Sequence, residues 1–99
     1  MTQYKNQKEL VEGFLGGAEE GFSGSSLALS NLRIKGSQII HFSTPILERT
    51  EGRYILNATR YSKQTDILQK IIIAALPRGS YDVVQGVDLD YHGSLSTRR

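Results

Sequence analysis

The stretch from residue 39 to residue 76 constrains the fold most, because two strand-like runs lead directly into the most apolar helical pattern of the chain. The runs 46–50 and 54–61 lie on either side of a Glu51-Gly52 turn. A two-residue connection that contains glycine is typical of a β-hairpin, since glycine readily adopts the positive φ that such turns require. Apolar side chains fall on both faces of the 54–61 run, which indicates a central strand.

The helix that follows is predicted to begin at Ser62 or Thr65, because hydroxyl side chains are good N-caps, and Asp66 would lie near the positive end of its dipole. Apolar residues then recur at helical spacing, in a core stripe of Leu68, Ile71, Ile72, Ala75 and Leu76 that is widened by Ile67, Ile73 and Ala74. We therefore expect a helix that is buried on more than one side and is ended by Pro77 and Gly79.

Upstream of this stretch, apolar residues at helical spacing predict a first helix over residues 3–18 that ends near Gly17. Gly13, Gly16 and Gly17 each lower helix stability by about 1 kcal/mol relative to alanine. This helix is therefore expected to depend on tertiary packing.

A second hairpin is predicted over residues 27–42, with its turn at residues 35–38. The apolar residues of its first strand change parity, which indicates a β-bulge at Ser30 and Asn31. Because proline cannot donate to a sheet ladder, Pro45 is expected to mark a bend, a bulge or an edge.

The C-terminal part is predicted to hold short strands at residues 81–84 and 87–91, followed by a frayed terminus. On such a strand Asp88, Asp90 and His92 would share one face, as cation ligands do. A fourth ligand is missing, and the exposed face of an edge strand gives the same alternation, so no metal site is predicted.

These elements predict an α+β fold: a helix, an antiparallel meander of three to four strands, a second helix and short C-terminal strands, with both helices on one sheet face. Parallel crossover architecture is not expected, because only one strong strand-helix-strand unit is present. The length of 99 residues fits a single domain over residues 1–99.

Composition removes several classes of function. The chain has no cysteine, which excludes disulfide frameworks and cysteine-based zinc or redox sites, and no cofactor is predicted. The first ten residues are polar and the longest apolar run covers only residues 71–76, so we expect neither a signal peptide nor a membrane span. These observations favour a cytoplasmic protein.

Charge is distributed unevenly along the chain. Residues 25–80 carry eight basic side chains against three acidic ones, a net charge of +5, while both ends are net acidic. Within this basic middle, a candidate partner-binding set brackets the predicted hairpin and the strand that leads into the helix: Arg49, Arg53, Arg60, Lys63 and Tyr61. A cluster of guanidinium groups at one hairpin could contact acidic patches or phosphates. A solvated basic face explains the same pattern.

The central stretch also carries a recognisable block, I-x-G-x-x-I-x-x-F-x-T-P-I-x-x-R followed by I-L-N-x-x-x-Y-S-x-x-T-x-x-x-Q, from Ile34 to Gln69. This block resembles a family of small phage- and plasmid-encoded proteins and domains of unknown function, over about the middle half of the chain. Gln64-Thr65 stands where the family has a Thr-Thr pair, and Ile67-Leu68 replaces a more basic dipeptide. No catalytic activity is attached to that family, so the resemblance implies a setting on a mobile element in a bacterial host.

Small proteins of such elements often resemble counter-defence factors, including anti-CRISPR proteins. The resemblance thus implies a non-enzymatic inhibitor that binds a host protein or protein–nucleic-acid complex, such as a CRISPR nuclease, with direct nucleic-acid binding weak or absent. Two alternatives remain. One is a nucleic-acid-binding accessory protein that uses the basic middle. The other is an enzyme or metal protein centred on Asp88, Asp90 and His92. The oligomeric state is left open, with a homo-oligomer among the options.

The polar residues of the block have a simpler interpretation. They would form a strand-to-helix junction in which side chains satisfy backbone groups, and the residues concerned are Asn57, Tyr61, Ser62, Thr65 and Gln69.

Overall fold

The computed structural model describes residues 2–98 of the chain. In order, these residues form β1 (Gln3–Tyr4), α1 (Gln7–Leu15), β2 (Glu20–Ser23), β3 (Leu32–Lys35), β4 (Gln38–His41), β5 (Thr44–Thr50), β6 (Arg53–Asn57), α2 (Lys63–Ala75) and β7 (Tyr81–Val84). Two short 3-10 helices, Leu27–Leu29 and Leu95–Arg98, complete the structure. The predicted α+β class is confirmed.

The seven strands form one sheet in which spatial order follows sequence order, from β1 to β7. The central pairs from β2 to β6 are antiparallel, whereas β1 pairs with β2 and β6 with β7 in parallel. The predicted meander is thus present but longer than three or four strands. The expectation that parallel crossovers are absent is wrong, because each α helix provides the long connection that a parallel pair requires.

Both α helices pack on the same face of the sheet, as predicted. Buried side chains of α1 and α2 share one core with a row of residues that are paired across four neighbouring strands: Ile34, Ile39, Leu47 and Leu56. From α1 this core contains Leu10, Val11 and Phe14, and from α2 it contains Leu68 and Ile72. Ile67 and Ile73 of α2 are 53% and 45% exposed, so the prediction that this helix is buried on more than one side is wrong.

The opposite face of the sheet is covered by the C-terminal segment. Ile55 of β6 and Val84 of β7 pack there against Val87 and Leu95, and Leu95 is fully buried. The chain is therefore docked around Leu95, contrary to the prediction of a frayed end, while Arg99 lies outside the described residues. Residues 87–91 do not form a strand.

The β-bulge lies in β5 and not at Ser30 and Asn31. Residues 27–29 form a 3-10 turn, so the strand that would contain a bulge at Ser30 begins only at Leu32. In the β4–β5 pair, Ile39 lies opposite Leu47 and Ile40 opposite Pro45, which leaves Ile46 as the extra residue. The prediction that Pro45 marks a bend, a bulge or an edge is confirmed, because the bulge residue Ile46 directly follows it.

Helix α1 begins at Gln7 and not at Gln3, because the Asn6 side chain accepts a hydrogen bond from the Glu9 backbone N–H. Tyr4, just before it, lies in a parallel strand, and its ring packs against Gly13 of α1 and Gly21 of β2, where a Cβ atom would collide with it. This close approach explains a glycine inside a helix, despite its cost in helix propensity.

Candidate functional site

The predicted basic set does not form a single surface. The Arg49 guanidinium lies 4.4 Å from the centroid of the Phe14 ring and donates to the carbonyl oxygens of Phe14 at 2.6 Å and Ala18 at 3.3 Å. The Phe14 carbonyl lies in the last turn of α1 and the Ala18 carbonyl lies just beyond it, and that last turn has no basic residue of its own. Arg49 therefore caps a helix, and its assignment to a partner-binding surface is not supported.

The other members of the set lie at opposite ends of β6. Arg53 donates to the Gly79 carbonyl at 3.0 Å and pairs with Asp82 at 3.0 Å, beside the hairpin. Arg60 and Lys63 follow the far end of β6 and are exposed. The Tyr61 hydroxyl donates to the Val87 carbonyl at 2.6 Å, so this residue holds the C-terminal segment.

The polar residues of the sequence block satisfy backbone groups, which confirms the junction interpretation. Asn57 Nδ2 donates to the Pro45 carbonyl at 3.0 Å and to the Tyr61 hydroxyl at 2.9 Å. Gln69 Nε2 donates to the carbonyls of Asn57 at 2.8 Å and Thr59 at 3.0 Å. Both buried NH2 groups use their two donors in these bonds, which fix the approach of β6 to α2 and leave these groups little capacity for a ligand.

At the start of α2, the Ser62 hydroxyl accepts from the Thr65 backbone N–H at 3.3 Å, as an N-cap does. Thr65 Oγ1 in turn lies 3.1 Å from Ser62 Oγ and 3.1 Å from Nδ1 of the buried His41. Burial lowers the pKa of His41 below its ordinary value of 6.5, so the ring is neutral at neutral pH. This chain of three polar side chains ties the end of the central strand β4 to the first turn of α2.

The junction frames a groove of about 1020 Å³, which we call the main groove. Three segments line it: the β4–β5 loop with Phe42, Ser43 and Thr44, the start of α2 from Tyr61 to Thr65, and the C-terminal segment with Leu89, Asp90 and His92. The β4–β5 loop and the C-terminal segment are held together by direct contacts. Thr44 Oγ1 donates to the Leu89 carbonyl, and His92 Nδ1 lies 3.1 Å from the Ser43 carbonyl. These contacts fix the width of the groove.

Two large apolar side chains line the main groove while remaining open to solvent. Phe42 is 51% exposed and Leu89 is 64% exposed. A smaller side groove is lined by the exposed Leu29 and Ile67, and Gln64 lines both grooves. Exposed apolar groups that converge on one concave region are typical of a binding surface.

Phe42 occupies an unusual backbone position. Its φ is +59°, in the first position of the two-residue β4–β5 loop, where glycine is preferred. The conformation is held by a hydrogen bond from the Phe42 N–H to the Asn31 carbonyl at 2.6 Å and by contact with the His41 ring, whose centroid is 4.5 Å away. A bulky residue at positive φ is uncommon and costs of order 1 kcal/mol. The sequence gives no signal for it, because a phenylalanine between two strands is typical of the strands themselves.

The alternating residues Asp88, Asp90 and His92 do not come together as a metal site. Residues 87–91 are not a strand, so alternation does not place these side chains on one face, and no group of three or more potential ligands forms within residues 2–98.

The comparisons with protein-family models, curated proteins and solved structures found no match. Within residues 2–98, no helix is long and apolar enough to cross a membrane.

Proposed function

We propose that this chain is a non-enzymatic binding protein that holds an apolar side chain of a protein partner in the main groove, with Phe42 and Leu89 as the anchoring contacts. The observation that carries the proposal is Phe42 itself: a large aromatic residue that is half exposed on a backbone conformation suited to glycine. Strain of this kind is characteristic of functional positions, because folding alone would favour another residue there.

The composition of the main groove supports a protein partner. Aromatic and large aliphatic groups at the centre of an interface contribute most of its binding free energy, and polar groups around them fix the orientation. Here Phe42 and Leu89 supply the apolar contacts, while Lys63 and Asp90 bring one charge of each sign to the same groove. A groove with both signs of charge suits a protein surface better than a polyanion.

The identity of the partner rests on the sequence block alone. The resemblance to small phage and plasmid proteins supports an inhibitor of a host defence effector, such as a CRISPR nuclease. This remains a prediction, and the groove proposal does not depend on it.

The test compares binding by variants matched for exposure. Partners captured from a defence-bearing bacterial host are identified, purified and titrated against the wild type, Phe42→Gly, Leu89→Ser and two controls at exposed apolar residues outside the main-groove lining, Ile73→Ser and Leu27→Ser. We expect the groove variants to bind more than about tenfold more weakly and the controls to bind as the wild type does. Wild-type affinity in both groove variants would contradict the proposal.

The stability of Phe42→Gly separates binding from folding. Glycine stabilises the folded state by relieving the strain at positive φ, but it also stabilises the unfolded chain by increasing its conformational freedom. These effects oppose each other in the free energy of unfolding, and each is about 1 kcal/mol. We therefore expect a free energy of unfolding within about 1 kcal/mol of the wild type in urea denaturation. A large loss of stability would mean that Phe42 serves folding and not binding.

Nucleic-acid binding is the second candidate, supported by the exposed Arg60 and Lys63 beside the main groove. Titration with DNA and RNA at two salt concentrations tests it, because phosphate contacts weaken steeply as salt rises. We expect only weak binding that disappears at the higher concentration. Tight binding that persists at physiological salt would replace the protein-partner proposal.

A further inference from the structure

Strand β7 forms one edge of the sheet, and no other strand within residues 2–98 pairs with its outer side. The backbone N–H groups of Tyr54 in β6 and of Ala58, which directly follows β6, donate to the carbonyls of Ser80 and Val84. Because N–H and C=O groups alternate in direction along a strand, Ser80, Asp82 and Val84 face β6, while Tyr81 and Val83 direct their backbone donors and acceptors outward. Such a row of backbone groups is a template for another strand.

Apolar side chains flank this open edge on the helix face. Val83 lies opposite Leu56, and Tyr81 lies opposite Tyr54, so both side chains project to the face that carries α1 and α2. Val83 is 51% exposed. Tyr81 shares a surface hollow with Ile73 of α2, which is 45% exposed. An added strand would therefore gain apolar contacts as well as hydrogen bonds.

The usual protections of an edge strand are absent from the centre of β7. Proline, lysine and a bulge are common devices that prevent strands from pairing at an edge. The sequence of β7 is Tyr-Asp-Val-Val, and its acidic side chain, Asp82, lies on the other face and pairs with Arg53.

We propose that β7 pairs with β7 of a second copy of this chain, antiparallel and about a two-fold axis at Val83. An identical strand is a fitting occupant because the outward groups at Val83, one donor and one acceptor, are complementary to themselves in this arrangement. Charge disfavours one alternative register. Centring the axis on Asp82 would place two carboxylates directly opposite each other, which is destabilising, whereas the Val83 register places each Asp82 opposite Val84 of the second copy.

The paired state has defined geometry. The two Val83 residues form a hydrogen-bonded pair with Cα atoms about 5.5 Å apart, and the two seven-stranded sheets become continuous. Val83 side chains from both copies then lie side by side on the helix face, next to the hollows that contain Ile73 and Tyr81. This surface is distinct from the main groove, none of whose lining residues belongs to β7.

Sedimentation across a wide range of chain concentrations tests the pairing. We expect a monomer–dimer equilibrium in the wild type and in Val83→Thr, which keeps the backbone N–H and a branched side chain. Val83→Pro removes the outward N–H without touching the β6–β7 ladder, and Val83→Lys places a charge at the axis, so both are expected to be folded monomers by circular dichroism. A wild type that stays monomeric at all concentrations, or a dimer that survives both variants, would overturn the proposal.

The register is tested by cross-linking, for which a chain without cysteine is well suited. Val83→Cys is expected to form a disulfide-linked dimer on mild oxidation, because the Cα separation lies within the range of disulfides. Tyr81→Cys is the matched control, since the two copies of that position would be about 14 Å apart, or four residue steps along the strands. Cross-linking at position 81 and not at position 83 would contradict the Val83 register.

Discussion

Glu48 is a buried carboxylate whose hydrogen bonds hold the C-terminal segment on the sheet. Its Oε1 accepts from the Leu95 N–H at 2.9 Å and from Gln38 Nε2 at 2.8 Å, and its Oε2 accepts from Ser94 Oγ at 2.7 Å and from the Ser96 N–H at 3.2 Å. Burial raises the pKa of Glu48, but the four hydrogen bonds favour the ionised form more strongly and hold the pKa below 4.5. The carboxylate thus acts as a remote N-cap for the last 3-10 helix.

Replacing this carboxylate by an amide is expected to lower stability in a pH-dependent way. In Glu48→Gln an NH2 group faces backbone donors, and a buried donor without an acceptor costs about 1–3 kcal/mol. A depressed folded-state pKa contributes stability that is fully present above the unfolded value and is lost as pH falls through the folded value. The difference in the free energy of unfolding between wild type and variant should therefore be constant above about pH 4.5 and shrink as the pH falls below it.

Thermal unfolding of both proteins from about pH 7 to about pH 3 measures this difference. Glu51→Gln, at an exposed position of the neighbouring hairpin turn, is the control and should leave stability nearly unchanged. A Glu48→Gln protein that is as stable as the wild type at neutral pH would show that these hydrogen bonds do not secure the segment.

At the scale of elements, Arg49 of β5 reinforces the C-terminal end of α1. The carbonyls of Glu12, Gly13 and Phe14 accept from the backbone N–H groups of Gly16, Ala18 and Gly17. Arg49 adds donors to Phe14 and, just beyond the helix, to Ala18. Its guanidinium also stacks over the Phe14 ring. One side chain therefore links the meander to the helix that covers it.

Arg49→Ala is expected to destabilise the fold by about 1–3 kcal/mol, because it removes hydrogen bonds to partly buried carbonyls together with a cation–π contact. Arg60→Ala removes an exposed charge and should change stability by less than about 0.5 kcal/mol. Urea denaturation of the two variants makes the comparison. Equal stabilities would mean that Arg49 is a surface residue, as the sequence interpretation held.

Adjacent positions on α2 give a sharper contrast. Ile72 is fully buried in the main core, and Ile73 is 45% exposed. Ile72→Asp places an unpaired charge in the core and is expected to unfold the protein, with a loss above about 4 kcal/mol. Ile73→Asp should melt cooperatively near the wild-type temperature in circular dichroism. A folded Ile72→Asp protein would contradict this placement of the core.

The sequence predicted elements well where local chemistry decides them. The Ser62 N-cap, the Glu51-Gly52 turn with positive φ at both residues and the bulge beside Pro45 each follow from a property of one or two residues. Contacts between residues that are distant in sequence cannot be predicted in this way. Nothing near Glu48 in sequence indicates that residues 94–96 bind it, so the docked terminus was missed.

The candidate site was missed for a related reason. The charge pattern predicts Arg49 and Arg53 as binding residues, but both guanidinium groups donate hydrogen bonds to carbonyls that are distant in sequence. Only the folded structure shows these contacts. Phe42 and Leu89 are 47 positions apart, and apolar residues in strand-like runs are expected to be buried. The sequence block is nevertheless useful, because its polar residues build the frame of the main groove.

At the scale of the whole molecule, the sheet has two dissimilar coverings. The two helices cover one face with the larger core, and a short terminal segment covers the other around Ile55, Val84, Val87 and Leu95. The terminal segment also supplies one wall of the main groove through Leu89, Asp90 and His92. The integrity of the groove is therefore coupled to the docking of the chain terminus.

The sequential order of the strands has a consequence for the folding pathway. Neighbouring strands of the meander close only short loops, whereas the contact between Glu48 and Leu95 spans 47 residues. Short loops close first because they lose less entropy, so the terminal segment should dock after the rate-limiting step. Leu95→Ala is then expected to accelerate unfolding and leave the folding rate nearly unchanged, while Leu47→Ala in the meander slows folding. Stopped-flow chevron plots of the two variants measure this, and equal slowing of folding in both would place terminal docking before the barrier.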